Sequence, residues 1–222
     1  MRCADRRQRQ DEGRIPDRLC AASVLEYVPR KRQGEAAENL VKLVEKNDYK
    51  IGTGFPGTPY ILFALADNGH ADTAYKMLLN TQCPSWLYEV RVGATTVWER
   101  WDGLDENGEC PIGDDGTDMM ISYNHYASGA VGAFLYRRVL GVEPTEAGYR
   151  KFKFAPVVGG GITEAEGTVG TPYGVIKAAW KIADGEMTMT VAVPVGTECT
   201  AVLPSGEEKV LGSGEYTFTA KA

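Results

Sequence analysis

Ser122 to Gly141 reads SYNHYASGAVGAFLYRRVLG, and a short way on Lys151 to Val157 reads KFKFAPV. The first stretch sets small and apolar residues at helical spacing and stops on Gly141, with internal glycines that would let a buried helix pack closely. The second alternates apolar and polar residues with a period of two, which is strand grammar. Between these two stretches the chain changes kind, and that change decides the fold.

Upstream the helical reading continues. GEAAENLVKLVEKN places Ala37, Leu40, Val41 and Val44 on one face and ends at Asn47. TPYILFALADNGH offers Thr58 as an N-cap with Pro59 at the first helical position, and its Asn68-Gly69 pair signals a turn. ADTAYKMLLN supplies a third helix, whereas PSWLYEVRVGATTVWERWDG mixes aromatic and β-branched residues without a clean period. Downstream, GTVGTPYGVIKAAWKIADG, EMTMTVAVPVG, CTAVLPSG and EYTFTA keep the alternation of KFKFAPV, separated by Gly, Pro and Asp turns. The expected architecture is mainly α, followed by a C-terminal antiparallel β-sandwich. Three regions are expected: an atypical basic segment over 1–33, a helical domain over 34–148 and the sandwich over 149–222.

Composition narrows the function classes. The 222 residues are 43% hydrophobic, enough to bury a core, and the net charge of -6 argues against nucleic acid, whose partners carry clustered excess Lys and Arg. Residues 1–33 hold nine basic against five acidic residues, while the remainder holds 15 basic against 25 acidic, so the leader reads as a solvated segment of a different character. No run has the length of a membrane span and the N-terminus lacks the apolar stretch of a signal peptide, from which a cytoplasmic chain is expected. The five cysteines, Cys3, Cys20, Cys83, Cys110 and Cys199, are odd in number, widely spaced and without a CxxC pair, and are expected to be reduced, forming neither a disulfide framework nor a metal site.

Among possible chemical motifs, Gly52, Gly54 and Gly57 in IGTGFPGTPY imitate a dinucleotide-binding loop, but no hydrophobic strand precedes them and Pro56 interrupts the loop. A tight turn into the Thr58 helix is the better reading. His70 follows a turn and is expected to face solvent. His125, in YNHYASG, is either a satisfied structural histidine or a ligand contact. The segment Trp98-Glu99-Arg100-Trp101-Asp102 differs in kind: ring faces can desolvate Glu99, which raises a carboxyl toward the range useful for proton transfer. Carboxylates among aromatic rings are the equipment of glycoside hydrolysis. The same residues would equally serve as a buried tryptophan pair beside a surface salt-bridge cluster.

Taken in order, GTGFPGTPYILFALADNGHADTAYKMLL, PSWLYEVRVGATTVWERWDG, SYNHYASGAVGAFLYRRVLGV and KFKFAPVVGGGITEAEGTVGTPYGVIKAAWK closely resemble the C-terminal part of bacterial α-L-rhamnosidases of glycoside hydrolase family 78. The resemblance spans about residues 34–215. It implies part of an (α/α)6 toroid of six-hairpin glycosidase type followed by the β-sandwich, and inverting hydrolysis of terminal α-L-rhamnose from rhamnose-containing glycosides or polysaccharides, with no cofactor and no metal. It also implies that Glu99 is the general base, that His125 binds the sugar, and that Trp98 and Trp101 line or support the rhamnose pocket. The family's general acid lies in an earlier segment not matched here, so a truncated enzyme fragment lacking that acid is expected. The alternatives are a non-catalytic carbohydrate-binding or structural remnant, and a related toroidal glycosidase acting on another sugar.

Overall fold

The computed structural model describes residues 30–110 and 120–222, with side chains from Gln33 onward. The described chain divides into two compact units, one ending at Val131 and one running from Gly132 to Ala222.

The first unit is helical, but its described helices are few and short. Helix α1 (Arg30–Lys46) buries Ala37, Leu40 and Val44, the face its spacing predicts. Helices α2 (Ile61–Ala66) and α3 (Ala71–Leu78) pack against each other, with Ile61, Leu65, Tyr75 and Met77 in their shared core. Thr58 does not cap α2. Its hydroxyl donates instead to the Gly54 carbonyl at 2.9 Å and shares a 2.8 Å hydrogen bond with the Thr53 hydroxyl, so it closes the glycine turn and the helix starts at Ile61. His70 stands at the N-cap of α3 and is half-buried rather than exposed. Helix α4 (Trp86–Arg91) comes from the stretch without a clean period; a local signal makes it, because the buried Ser85 hydroxyl accepts the Tyr88 N–H at 3.1 Å. From Val92 to His125 the described backbone is irregular turn and bend.

The helix expected over Ser122 to Gly141 is shorter and broken. It runs as α5 (Tyr126–Gly129) and α6 (Val131–Phe134) and then widens to a π-turn over Leu135–Val139 before stopping at Gly141, whose φ of 90° only glycine adopts easily.

The second unit contains two four-stranded sheets on one core. The first has the order β1 (Val142–Pro144), β2 (Lys151–Phe154), β6 (Glu198–Val202), β7 (Glu208–Leu211). The second has the order β3 (Glu164–Thr171), β4 (Gly174–Ala183), β5 (Glu186–Val193), β8 (Gly214–Lys221). Phe152, Phe154 and Ala201 from one sheet and Ile176, Trp180, Met189 and Val191 from the other close this core. The alternation is clean in β5, where Met187, Met189, Val191 and Val193 point inward and Thr188 and Thr190 outward. The expected antiparallel pairing needs one correction: β2 and β6 run parallel, in the register Phe152 to Cys199, while the other pairs are antiparallel. Parallel neighbours require a long crossover, and here the chain passes through β3, β4 and β5, three of the four strands of the second sheet, before returning.

One cysteine departs from expectation as well. Cys83 is disulfide-bonded, whereas Cys110 and Cys199 stand outside any disulfide.

Candidate active site

The site residues singled out in the sequence gather in the irregular part of the first unit, where two loop segments run side by side. Glu99 N–H donates to the Ser122 carbonyl at 2.9 Å and His125 N–H donates to the Val97 carbonyl at 2.9 Å. The Glu99 carboxylate completes the pairing, since its Oε2 accepts the Ser122 N–H at 2.8 Å. A charged acceptor on a backbone amide is one of the stronger hydrogen bonds in proteins. It fixes the Glu99 side chain to the segment that carries His125.

The two tryptophans take different positions. Trp98 is 3% exposed and meets Tyr123 edge-on at 5.4 Å, so its ring is core. Gly103 exists to admit it: a Cβ there would lie 2.7 Å from Trp98 Cε3. Trp101 is half-buried and meets Trp86 edge-on at 5.5 Å, and the Trp86 indole in turn donates to the Ser128 carbonyl at 3.0 Å. Arg100 and Asp102 pair with each other through two guanidinium nitrogens at 2.8–3.0 Å.

Two residues enter the site that sequence reasoning did not select. Phe55, from the glycine turn, stacks on the His125 ring with centroids 4.4 Å apart and remains 47% exposed. Glu89, on α4, is buried; its Oε2 accepts the Trp98 N–H at 3.1 Å, and burial pushes its carboxyl up to about 7 against the opposing pull of that amide. Its Oε1 and the His125 Nδ1 are buried without a hydrogen-bond partner among the described residues. Glu89 carried no usable signal, because its partner lies across a loop and YEV matches no periodic pattern.

No three His, Cys, Asp or Glu side chains come together as a metal site among the described residues, and no described helix is long and apolar enough to cross a membrane. A shallow concavity of about 500 Å³ lies on the second sheet, between Glu166, Lys177, Thr190 and Glu215; it belongs to the second unit and none of the four sequence-selected residues lines it.

Known proteins resemble the chain over both units. Residues 16–139 match the bacterial alpha-L-rhamnosidase 6 hairpin glycosidase domain and residues 141–218 match the bacterial alpha-L-rhamnosidase C-terminal domain. An alpha-L-rhamnosidase of Streptomyces avermitilis is 38% identical over 181 residues, which are 82% of this chain and 17% of the relative. One from Formosa agariphila is 33% identical over 89% of this chain and 21% of its own. Among solved structures, the Streptomyces avermitilis enzyme complexed with L-rhamnose superposes with a TM-score of 0.82 at 33% identity, covering 95% of this chain and 22% of that one. The native rhamnosidase of Aspergillus terreus superposes with a TM-score of 0.83 at 36% identity, over 91% of this chain and 23% of its own. The chain thus spans about a fifth of the length of these relatives. Two consecutive domain matches and this level of identity establish that the chain belongs to the bacterial α-L-rhamnosidase family.

Proposed function

We propose that this chain forms the C-terminal part of an inverting α-L-rhamnosidase, contributing part of an (α/α)6 toroid and a C-terminal domain, and that it acts on terminal α-L-rhamnose of glycosides or polysaccharides. Glu99 is the general base, His125 contacts the sugar, Trp101 borders the pocket and the buried Trp98 supports it. The observation that carries this reading is the Glu99 carboxylate bound to the Ser122 amide, three residues before His125. With Oε2 committed to that amide, Oε1 takes a proton from water as the water oxygen bonds to the anomeric carbon. The glycosidic C–O bond breaks on the opposite side, and the leaving oxygen receives its proton from a second carboxyl, which inverting enzymes hold roughly 6.5–9.5 Å from the base.

The test separates these two carboxyls. Fluoride leaves the anomeric carbon of a rhamnosyl fluoride with little protonation, so hydrolysis of that substrate reads base chemistry alone. The parent chain is expected to hydrolyse it, and Glu99→Gln to lose about 100-fold or more of that rate. Equal rates for the two chains would reject Glu99 as the base. The compartment is a separate matter: the expected cytoplasmic placement is opposed by Cys83, because disulfides are rare in a reducing cytosol.

A further inference from the structure

The Val97–Trp98 peptide is held from both sides. Its carbonyl accepts the His125 N–H at 2.9 Å and its N–H donates to Glu89 Oε2 at 3.1 Å. One end of this peptide therefore registers His125, while the next residue along is Glu99. We propose that Glu89 is a positioning residue of the rhamnose site, a clamp on the Val97–Trp98 peptide that sets the register between Glu99 and His125. The proposal rests on the reading of Glu99 and His125 given above.

Three observations support it. Glu89 is 2% exposed, so its carboxyl meets protein and not solvent, and a buried polar group is tolerated only where it is needed or satisfied. Only one of its oxygens has a hydrogen-bond partner among the described residues, and that partner is the Trp98 amide. The charged residues that follow it along the chain are engaged with other partners: Arg91 pairs with Glu106, Arg100 with Asp102, and the Glu99 carboxylate holds Ser122. Among the described residues Glu89 thus has no ion pair to maintain, and it serves the backbone of the site. Removing its oxygen strands the Trp98 N–H in the core, and the peptide must turn to find another acceptor. Such a turn carries Glu99 away from Ser122.

The test compares Glu89→Gln, which keeps an acceptor of the same length, with Glu89→Leu, which keeps the bulk and removes the acceptor. Two readouts are taken on the full chain: the amide resonances of Trp98 and Ser122 by NMR, and the affinity for L-rhamnose by calorimetry. Glu89→Gln is expected to preserve both resonances and the affinity. Glu89→Leu is expected to move the Ser122 amide and weaken rhamnose binding about tenfold or more while the far-UV spectrum stays native. A folded Glu89→Leu with parental Ser122 resonance and affinity overturns the proposal, and so does a Gln variant as impaired as the Leu variant. Should the parent bind no rhamnose, the Ser122 resonance still decides the clamp, and only the reading of the site fails. Should Glu89→Leu not fold, the decision passes to the Trp98 amide across pH: it is expected to titrate with the Glu89 carboxyl in the parent and stay flat in Glu89→Gln, and identical curves overturn the proposal.

Discussion

Glu89 makes the stability of the molecule depend on pH in a direction opposite to most carboxylates. Its carboxyl is pushed from the ordinary 4.5 up to about 7 by burial, with the Trp98 amide opposing. Between these values the folded chain keeps a proton that the unfolded chain releases, so stability is complete below about 4.5 and declines as pH rises through about 7. The loss approaches about 3 kcal/mol for a group shifted this far. Glu89→Gln has no such proton. Denaturant unfolding near pH 5 and near pH 8 is expected to show the parent losing most of that stability relative to Glu89→Gln, and parallel pH profiles would count against a buried neutral carboxyl. Gly103 gives a second residue-scale prediction. A Cβ there meets Trp98 Cε3 at 2.7 Å, Ile121 Cδ1 at 3.1 Å and the Arg100 carbonyl at 3.2 Å, and neither a buried indole nor a backbone oxygen yields easily. Gly103→Ala is expected to cost about 1–3 kcal/mol, read as a lower Tm together with altered tryptophan fluorescence.

Among the elements, α4 depends on its cap. It is six residues long, too short to be stable by propensity, and Ser85 satisfies one of its first amide groups. Ser85→Ala is expected to destabilise the first unit by about 1 kcal/mol in denaturant unfolding, and a change near zero would show that packing of Trp86 and Tyr88 suffices. Gly141 ends its helix for a reason that goes beyond its positive φ. A Cβ at this position would collide with Pro156 N, and the Gly141 carbonyl accepts the Ala155 N–H at 2.8 Å, so the glycine is where the segment leaving β2 passes the helix end. The spacing from Ser122 to Gly141 suggested a single helix, yet Ser122, Tyr123 and His125 are drawn out of it by hydrogen bonds to Glu99, Thr96 and Val97. Local periodicity loses there to tertiary pairing. That loss is what brings His125 beside Glu99.

For the molecule as a whole, the three described cysteines report different things. Cys199 lies in the core of the second unit, and burial pushes its thiol up to about 12, so it neither ionises nor meets reagent in the folded chain. Cys110 is half-buried in the first unit and Cys83 is disulfide-bonded. Alkylation followed by mass spectrometry is expected to modify Cys199 only on unfolding of the sandwich and Cys83 only after reduction. Modification of Cys83 in denatured, unreduced protein would restore the reading of a reduced set.

The strands were the most legible part of the fold, because a sheet with one wet face writes its period into the residues: β2, β4, β5 and β8 follow the alternation of KFKF, GVIKAAWKIA, EMTMTVAV and EYTFTA, and the Asp184-Gly185 turn joins β4 to β5. Strand β1 is too short, and the sequence of β7, EKVL, too polar to show a period. Of the site, the aromatic and acidic cluster around Glu99 was visible because its residues are contiguous. Its geometry was not, since Ser122, Phe55 and Glu89 reach it from separate segments. Composition, alternation and turn chemistry are local properties, so the chain order alone settled the helical half, the strand half and the neighbourhood of Glu99. The parallel β2–β6 pair and the hold of Glu99 on Ser122 join residues far apart along the chain, and the hydrogen bond of Trp98 to Glu89 spans an irregular loop that no local period describes, so only folding brings such partners within hydrogen-bond reach.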